Sequence, residues 1–168
     1  MTVTAPSPGV PSADDAPWLT AEQQQWWRAY LTGAARLTEA LGRQLERDAG
    51  LSLSEYEVMV RLSEAPDRTL RMAELADSLV HSRSRLTHTV ARMERRGLVA
   101  RRACPADGRG INATLTDAGM AALVAAAPGH VRAVREHLVD RLSDDEFRAL
   151  GRAMAAISGP TADATASA

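Results

Sequence analysis

The sequence predicts a mainly α-helical fold with one small β-hairpin, and three observations carry that reading. The 168 residues are 45% hydrophobic but only 4% aromatic, so the core must be built from Ala, Leu, Val and Met, which apart from Val favour helices. Apolar residues recur at three- and four-residue spacing along most of the chain. One basic segment, 82–110 (SRSRLTHTVARMERRGLVARRACPADGRG), departs from this. There an amphipathic helix runs into Gly97, and an apolar strand at 98–100, a Pro/Gly turn and a second strand at 111–115 follow. A helix followed by a basic hairpin is the layout of a winged helix-turn-helix with a hairpin wing.

Residues 1–17 are rich in Pro, Ser, Ala and Asp without periodicity and read as a disordered tail, as do 159–168. Thr20 with Gln23 spells a capping box that opens a helix over about 20–48, with Gly50 as its stop and Trp27, Tyr30, Leu31, Ala34, Leu37, Leu41 and Leu45 on one stripe. Ser54 with Glu57 opens a short helix that closes before Pro66. Residues 72–79 (MAELADSL) form the next helix, with Leu75 and Leu79 inward. Val80-His81 makes a tight turn, and Ser82 or Ser84 caps the helix that buries Leu86, Val90 and Met93. Thr116 caps a helix from about Asp117 to Arg141, with Val124, Ala127, Val131, Val134, Leu138 and Leu142 near heptad spacing. Pro128 should kink it near 124–128. Ser143 with Glu146 opens the last helix, whose apolar face is Phe147, Leu150, Met154 and Ile157. One ordered domain, 18–158, follows: a DNA-binding module over about 54–115, and helices 20–48 and 117–158 that build a dimerisation region.

Charge points to the partner. All twenty basic residues are arginine, the better bidentate partner for phosphate and guanine. Eight of them (83, 85, 92, 95, 96, 101, 102, 109) lie within 82–109 beside only Glu94 and Asp107, a local net of 8 − 2 = +6 in a chain of net −1. A basic island on an acidic body is the footprint of a part that meets phosphate, here double-stranded DNA. The single Cys104 excludes an intrachain disulfide and suggests a reducing compartment. The N-terminal residues lack the features of a signal peptide, and no apolar run approaches a bilayer span, so a cytoplasmic protein without membrane contact is expected. No Ser/His/Asp spacing, Gly-rich phosphate loop or metal-ligand cluster argues for an enzyme, and no cofactor is expected.

A recognition helix reads bases from its N-terminal half, which places Ser84, Arg85 and His88 for base edges, with Arg83 and Thr87 at their flanks. Arg92, Arg95 and Arg96 sit further along and suit phosphates. The hairpin turn 105–110 lifts Arg109 to its tip, for a minor groove or a phosphate, and Asp107 supports the turn or braces an arginine. The competing reading is a winged-helix adaptor whose basic face docks an acidic protein.

The segments MAELADSL, SRSRLTHTVARMERRGLVAR, DGRG and LTDAG, in this order and spacing, resemble the MarR (multiple antibiotic resistance regulator) family over about residues 20–158. The D-x-R turn (Asp107, Arg109) and LT-x-x-G (Leu115, Thr116, Gly119) are the most specific parts. The resemblance implies a homodimeric winged-helix repressor on a pseudo-palindromic operator. It also implies a recognition helix in the major groove, a wing arginine in the minor groove, and release by a small, often aromatic or phenolic, ligand. Trp26, Trp27, Tyr30 and Met59 are the candidate pocket for such an effector. Redox sensing is disfavoured, because redox members of the family carry their cysteine near the N-terminal helix. His130 and His137, like His81 and His88, are seven residues apart, too far to chelate one metal together, and read as surface histidines.

Overall fold

Helix starts and stops lay out the chain. In α1 (Ala21–Ala49) the expected reciprocal cap forms. The Gln23 N–H donates to Thr20 Oγ1 at 3.1 Å and the Thr20 N–H to Gln23 Oε1 at 2.9 Å. The helix ends where Gly50 takes φ +62° and donates to the Glu46 carbonyl at 3.0 Å, a left-handed stop that suits glycine. There follow α2 (Leu53–Glu64), β1 (Thr69–Arg71), α3 (Met72–Ser78), α4 (Arg83–Arg95), β2 (Val99–Cys104), β3 (Asp107–Leu115), α5 (Asp117–His137) and α6 (Asp144–Ser158). The computed structural model describes residues 17–79, 82–104 and 107–158, without the side chains of 107–109. The tails assigned to 1–17 and 159–168, Pro17 apart, and the Val80-His81 turn lie outside the described residues. The mainly helical fold with a β-hairpin is the one predicted; β1, which the sequence reading did not include, adds a third strand, and the sheet order is β1-β3-β2.

The chain parts into two units, up to Arg36 and from Leu37 onward. In the first, Trp18, Trp26, Trp27, Tyr30 and Leu31 are all exposed, and Trp27 stacks on Tyr30 with ring centroids 5.7 Å apart. The second holds the core. Leu45, Met59, Leu62, Leu75, Leu86 and Met93 are fully buried there with Val58 and Val90, each contributing about 1.5–3 kcal/mol of burial. On the sheet, Ala113 and Leu115 of β3 turn to this core at the two-residue period of a strand, and Val99 pairs with Leu115.

Two helices differ from the sequence reading. The cap of α2 is Ser52 with Glu55, two residues before the expected Ser54 and Glu57. Both pairs spell S-x-x-E. The earlier one wins because it sets Leu51 and Tyr56, the positions flanking the cap, into the same buried cluster. α5 holds Pro128 within one continuous helix and ends at His137, short of the expected Arg141: at Leu138 φ −135° and ψ −66° leave the helix before a short turn at Val139–Arg141. α5 also buries the stripe Leu123, Ala126 and Ala133, which adjoins the expected one; Val124 and Val131 stay exposed.

The corner joining α4, the hairpin and α5 explains the LT-x-x-G spelling. Gly97 closes α4 at φ +72°. Thr116 Oγ1 donates to the Gly97 carbonyl at 2.7 Å and accepts from the Gly119 N–H at 3.0 Å, while the Thr116 N–H donates to the Leu98 carbonyl at 3.1 Å. A Cβ on Gly119 would stand 2.1 Å from the Leu98 carbonyl oxygen and 2.6 Å from Leu115 Cδ1. A backbone oxygen held by the Thr116 N–H and hydroxyl cannot move aside cheaply. Gly119→Ala should therefore cost about 1–3 kcal/mol or more, read by denaturant unfolding; a loss within about 0.5 kcal/mol, the range of neutral surface changes, would show that the corner yields.

Candidate nucleic-acid interface

α4 is built to expose one face. Ser82 caps it, its Oγ accepting from the Arg85 N–H at 3.3 Å, which settles the choice between Ser82 and Ser84. Leu86, Thr89, Val90 and Met93 are buried on the inner side. Ser84, His88 and Arg95 are exposed on the outer side with Arg83, Arg85 and Thr87, and Ala91 is half-buried. Thr87 Oγ1 donates to the Arg83 carbonyl at 2.8 Å.

The two flanks of this face are held differently. At 100° per residue, Arg85, Arg92 and Arg96 fall within about 40° of one another, and this stripe rests on the first turn of α2. Glu55 there is 3% exposed at its side chain and accepts from Arg92 Nε at 2.9 Å and Arg96 Nη1 at 3.2 Å. It also accepts from the Ser52 N–H at 2.8 Å. Arg96 Nη2 donates to the Gly50 carbonyl at 3.0 Å, and Arg85 Nη2 to Ser54 Oγ at 3.3 Å. Arg92, expected to hold phosphate, is thus engaged by an internal carboxylate. Sequence reading passed over Glu55 because the neighbouring Ser54/Glu57 spelling took the cap; the overlapping Ser52/Glu55 spelling was the signal available.

On the other flank Glu94 takes Arg101 of β2 through Nη2 at 2.6 Å and Nε at 2.9 Å, and this pairing with Arg101 holds the Glu94 carboxyl below its usual pKa. An open cleft of about 370 Å³ lies between α3, α4 and the hairpin, lined by Arg71, Met72, Thr87, Arg101 and Ile111. β2 and β3 make the predicted wing, pairing from Val99↔Leu115 to Cys104↔Asp107 with an irregularity between Ala103 and Cys104. β3 begins at Asp107, so Arg109 belongs to the strand and not to the turn; the side chains of Asp107 and Arg109 lie outside those described.

Other candidates are placed apart. Cys104 is buried, and Arg71 Nη2 donates to its sulfur at 3.4 Å. His130, expected at the surface, packs against the Tyr56 ring with centroids 4.4 Å apart; burial lowers its pKa, and its Nδ1 has no partner among the described residues. Met59 is fully buried in the core, whereas Trp26, Trp27 and Tyr30 are exposed on α1. Among the described residues no group of three or more His, Cys, Asp or Glu could hold a metal, and no helix is long and apolar enough to cross a membrane.

Burial by itself would raise the Glu55 pKa, but the Ser52 N–H, Arg92 and the Ser52 hydroxyl outweigh it and hold the carboxyl below its usual value. A lowered folded-state pKa gives stability that is complete above the unfolded value and lost as pH falls through the folded one. The melting temperature should therefore drop as pH falls below the ordinary glutamate value of about 4.3. It should drop less in Glu55→Gln, which keeps the cap but gains no proton. Superimposable pH profiles for the two proteins would remove Glu55 from the acid response.

The MarR family model matches residues 49–110. Sco3205, a MarR family transcriptional regulator from Streptomyces coelicolor solved in complex with DNA, is 48% identical, with TM-score 0.83 over 86% of this chain and 91% of its own. AbsC, a MarR family transcriptional regulator from the same organism, is 38% identical, with TM-score 0.79 over 85% and 96%. The HTH-type transcriptional repressor YetL of Bacillus subtilis is 32% identical over 105 residues, and this match spans 61% of the present chain and 63% of that repressor. With its capped outward face on α4, its hairpin wing and its Gly97–Thr116–Gly119 corner, the chain belongs to the MarR family of transcriptional regulators.

Proposed function

We infer that the protein is a sequence-specific, homodimeric transcriptional repressor. Each protomer sets α4 in the major groove of a pseudo-palindromic operator, and a small molecule releases the DNA. The observation that carries this reading is the outer face of α4, where Arg83, Ser84, Arg85, Thr87, His88 and Arg95 stand exposed on a fully buried base of Leu86, Val90 and Met93. A rigid helix with a polar, cationic face and a preformed cap suits base edges and phosphates. The DNA complex of the 48%-identical Streptomyces regulator supports DNA as the partner, and the repressor named in Bacillus subtilis supports the direction of control. Arg109 is the residue proposed for the minor groove, with Asp107 bracing the wing.

Exposed apolar residues support the dimer. α6 buries none of its residues, and Ile157 is 74% exposed, Val124 59% and Val131 56%. Such faces need a partner, and a second copy is the commonest one. The exposed aromatic residues Trp26, Trp27 and Tyr30 support a flat aromatic or phenolic effector; Met59 offers it no surface.

Two measurements test this reading. In a selection from random DNA followed by a salt series, the wild-type protein should enrich an inverted repeat whose half-sites lie about 10–10.5 bp apart or a multiple of that. Arg85→Ala should cost about 1–3 kcal/mol on that site and relax one base pair per half-site. Arg95→Ala should weaken all sequences alike, and Arg109→Ala should lose most on A·T-rich flanks. Enrichment of no sequence, with binding lost near physiological salt, would favour the adaptor. By light scattering, the wild type should run as a dimer and Val131→Asp with Ile157→Asp as a folded monomer; a monomeric wild type would dismiss the interface.

A further inference from the structure

Arg85, Arg92 and Arg96 form one stripe along α4, and the turn beneath them gives each an acceptor: Ser54 Oγ for Arg85, the Glu55 carboxylate and Ser52 Oγ for Arg92, the Glu55 carboxylate and the Gly50 carbonyl for Arg96. The Glu55 side chain is 3% exposed while those of Arg92 and Arg96 are 46% and 39% exposed. The carboxylate is therefore shielded from solvent cations, yet the guanidinium groups it holds border the face that reads DNA. An arginine free on that border would bind any phosphate regardless of sequence, and nonspecific binding grows with each such contact.

We propose that the first turn of α2 governs discrimination by α4: Glu55 withholds Arg92 and Arg96 from phosphate, and Ser54 sets Arg85 for its base. Both are positioning residues that touch no DNA, and the proposal rests on α4 being the DNA-reading helix. Arg85 gives up one of its five N–H groups to Ser54 and keeps the rest for a base edge. Glu55 engages both guanidinium groups and offsets one of their two charges, so the phosphate-seeking charge of α4 rests mainly on Arg83, Arg85 and Arg95. A brace of purely mechanical value would change stability but not the number of phosphates neutralised.

The test measures affinity for a random-sequence duplex and for the selected operator over a salt series, on the full chain. Glu55→Gln should steepen the slope of log K against log salt on random DNA by about 0.9 for each freed arginine that reaches phosphate, and the ratio of specific to nonspecific affinity should fall. Adding Arg92→Gln and Arg96→Gln to that variant should return the slope to its wild-type value; a slope clearly shallower than wild type overturns the withholding role. Ser54→Ala should relax preference at one base pair per half-site with an unchanged melting temperature. An unaltered slope in a folded Glu55→Gln protein overturns the withholding role, and an unaltered site preference in Ser54→Ala overturns the setting of Arg85. Should Glu55→Gln not fold, Arg92→Gln in a chain that keeps Glu55 decides the withholding role: its slope on random DNA should match the wild type, and a shallower one overturns that role. A wild-type protein that selects no sequence overturns the DNA-reading role of α4 itself, and this proposal with it.

Discussion

The arrangement of this module depends on one buried carboxylate. Glu55 accepts from the backbone at the start of α2 and from two guanidinium groups of α4, so a single side chain caps one helix and anchors another. Burying a carboxylate costs several kcal/mol unless it is fully hydrogen-bonded and paired, and here both conditions are met. The cost of misplacing it narrows the ways α2 and α4 can cross. The apolar contacts of Leu86, Val90 and Met93 with the core then have one register, and the exposed face of α4 has one direction. Because the two arginines are nearly half exposed, solvent screens the pairs, and their value lies more in geometry than in net stability.

At the far end of α4 a second constraint ties the hairpin to the same frame. Gly97 turns the chain, Thr116 joins the Gly97 and Leu98 carbonyls to the cap of α5, and Gly119 lets α5 approach the Leu98 backbone more closely than a Cβ permits. Glu94 adds a charge-assisted link between α4 and β2. α4 and the base of the hairpin therefore share a rigid support, while the cleft bordered by Thr87, Arg101 and Ile111 stays open beside it. Rigid elements carrying polar side chains are what a reader of base edges requires, since loosely held groups lose orientation as well as entropy.

The basic island is less uniformly available than its composition suggests. Of its eight arginines, Arg92, Arg96 and Arg101 are paired with carboxylates of the same module, so formal charge overstates what this surface offers to phosphate. The apolar surplus has the opposite character. α5 buries one stripe and leaves Val124 and Val131 in solvent, and α6 buries nothing, which is why association with a second copy enters the proposed function.

Much of this was legible in the sequence because it rests on local rules. The caps at Thr20, Thr116 and Ser143, the stop at Gly50, the inward set Leu86, Val90 and Met93, and the hairpin after Gly97 all follow from hydrogen-bonding groups and apolar spacing within a few residues. The outward set Ser84, His88 and Arg95 follows from the same spacing. What failed was non-local. Two overlapping S-x-x-E spellings are equivalent in sequence, and only the fit of Leu51 and Tyr56 into the core selects Ser52 and Glu55. The partners of Arg92 and Arg96 stand about forty residues away along the chain, beyond any periodicity. His130 read as a surface residue until Tyr56 packed on it, and the stripe of α5 that is buried depends on which neighbours meet it. Sequence by itself determined the helices, most of their ends and the family; tertiary structure decided where α2 begins, which charges are paired and which apolar faces are left for a partner, because pairing and burial are properties of residues brought together from distant parts of the chain.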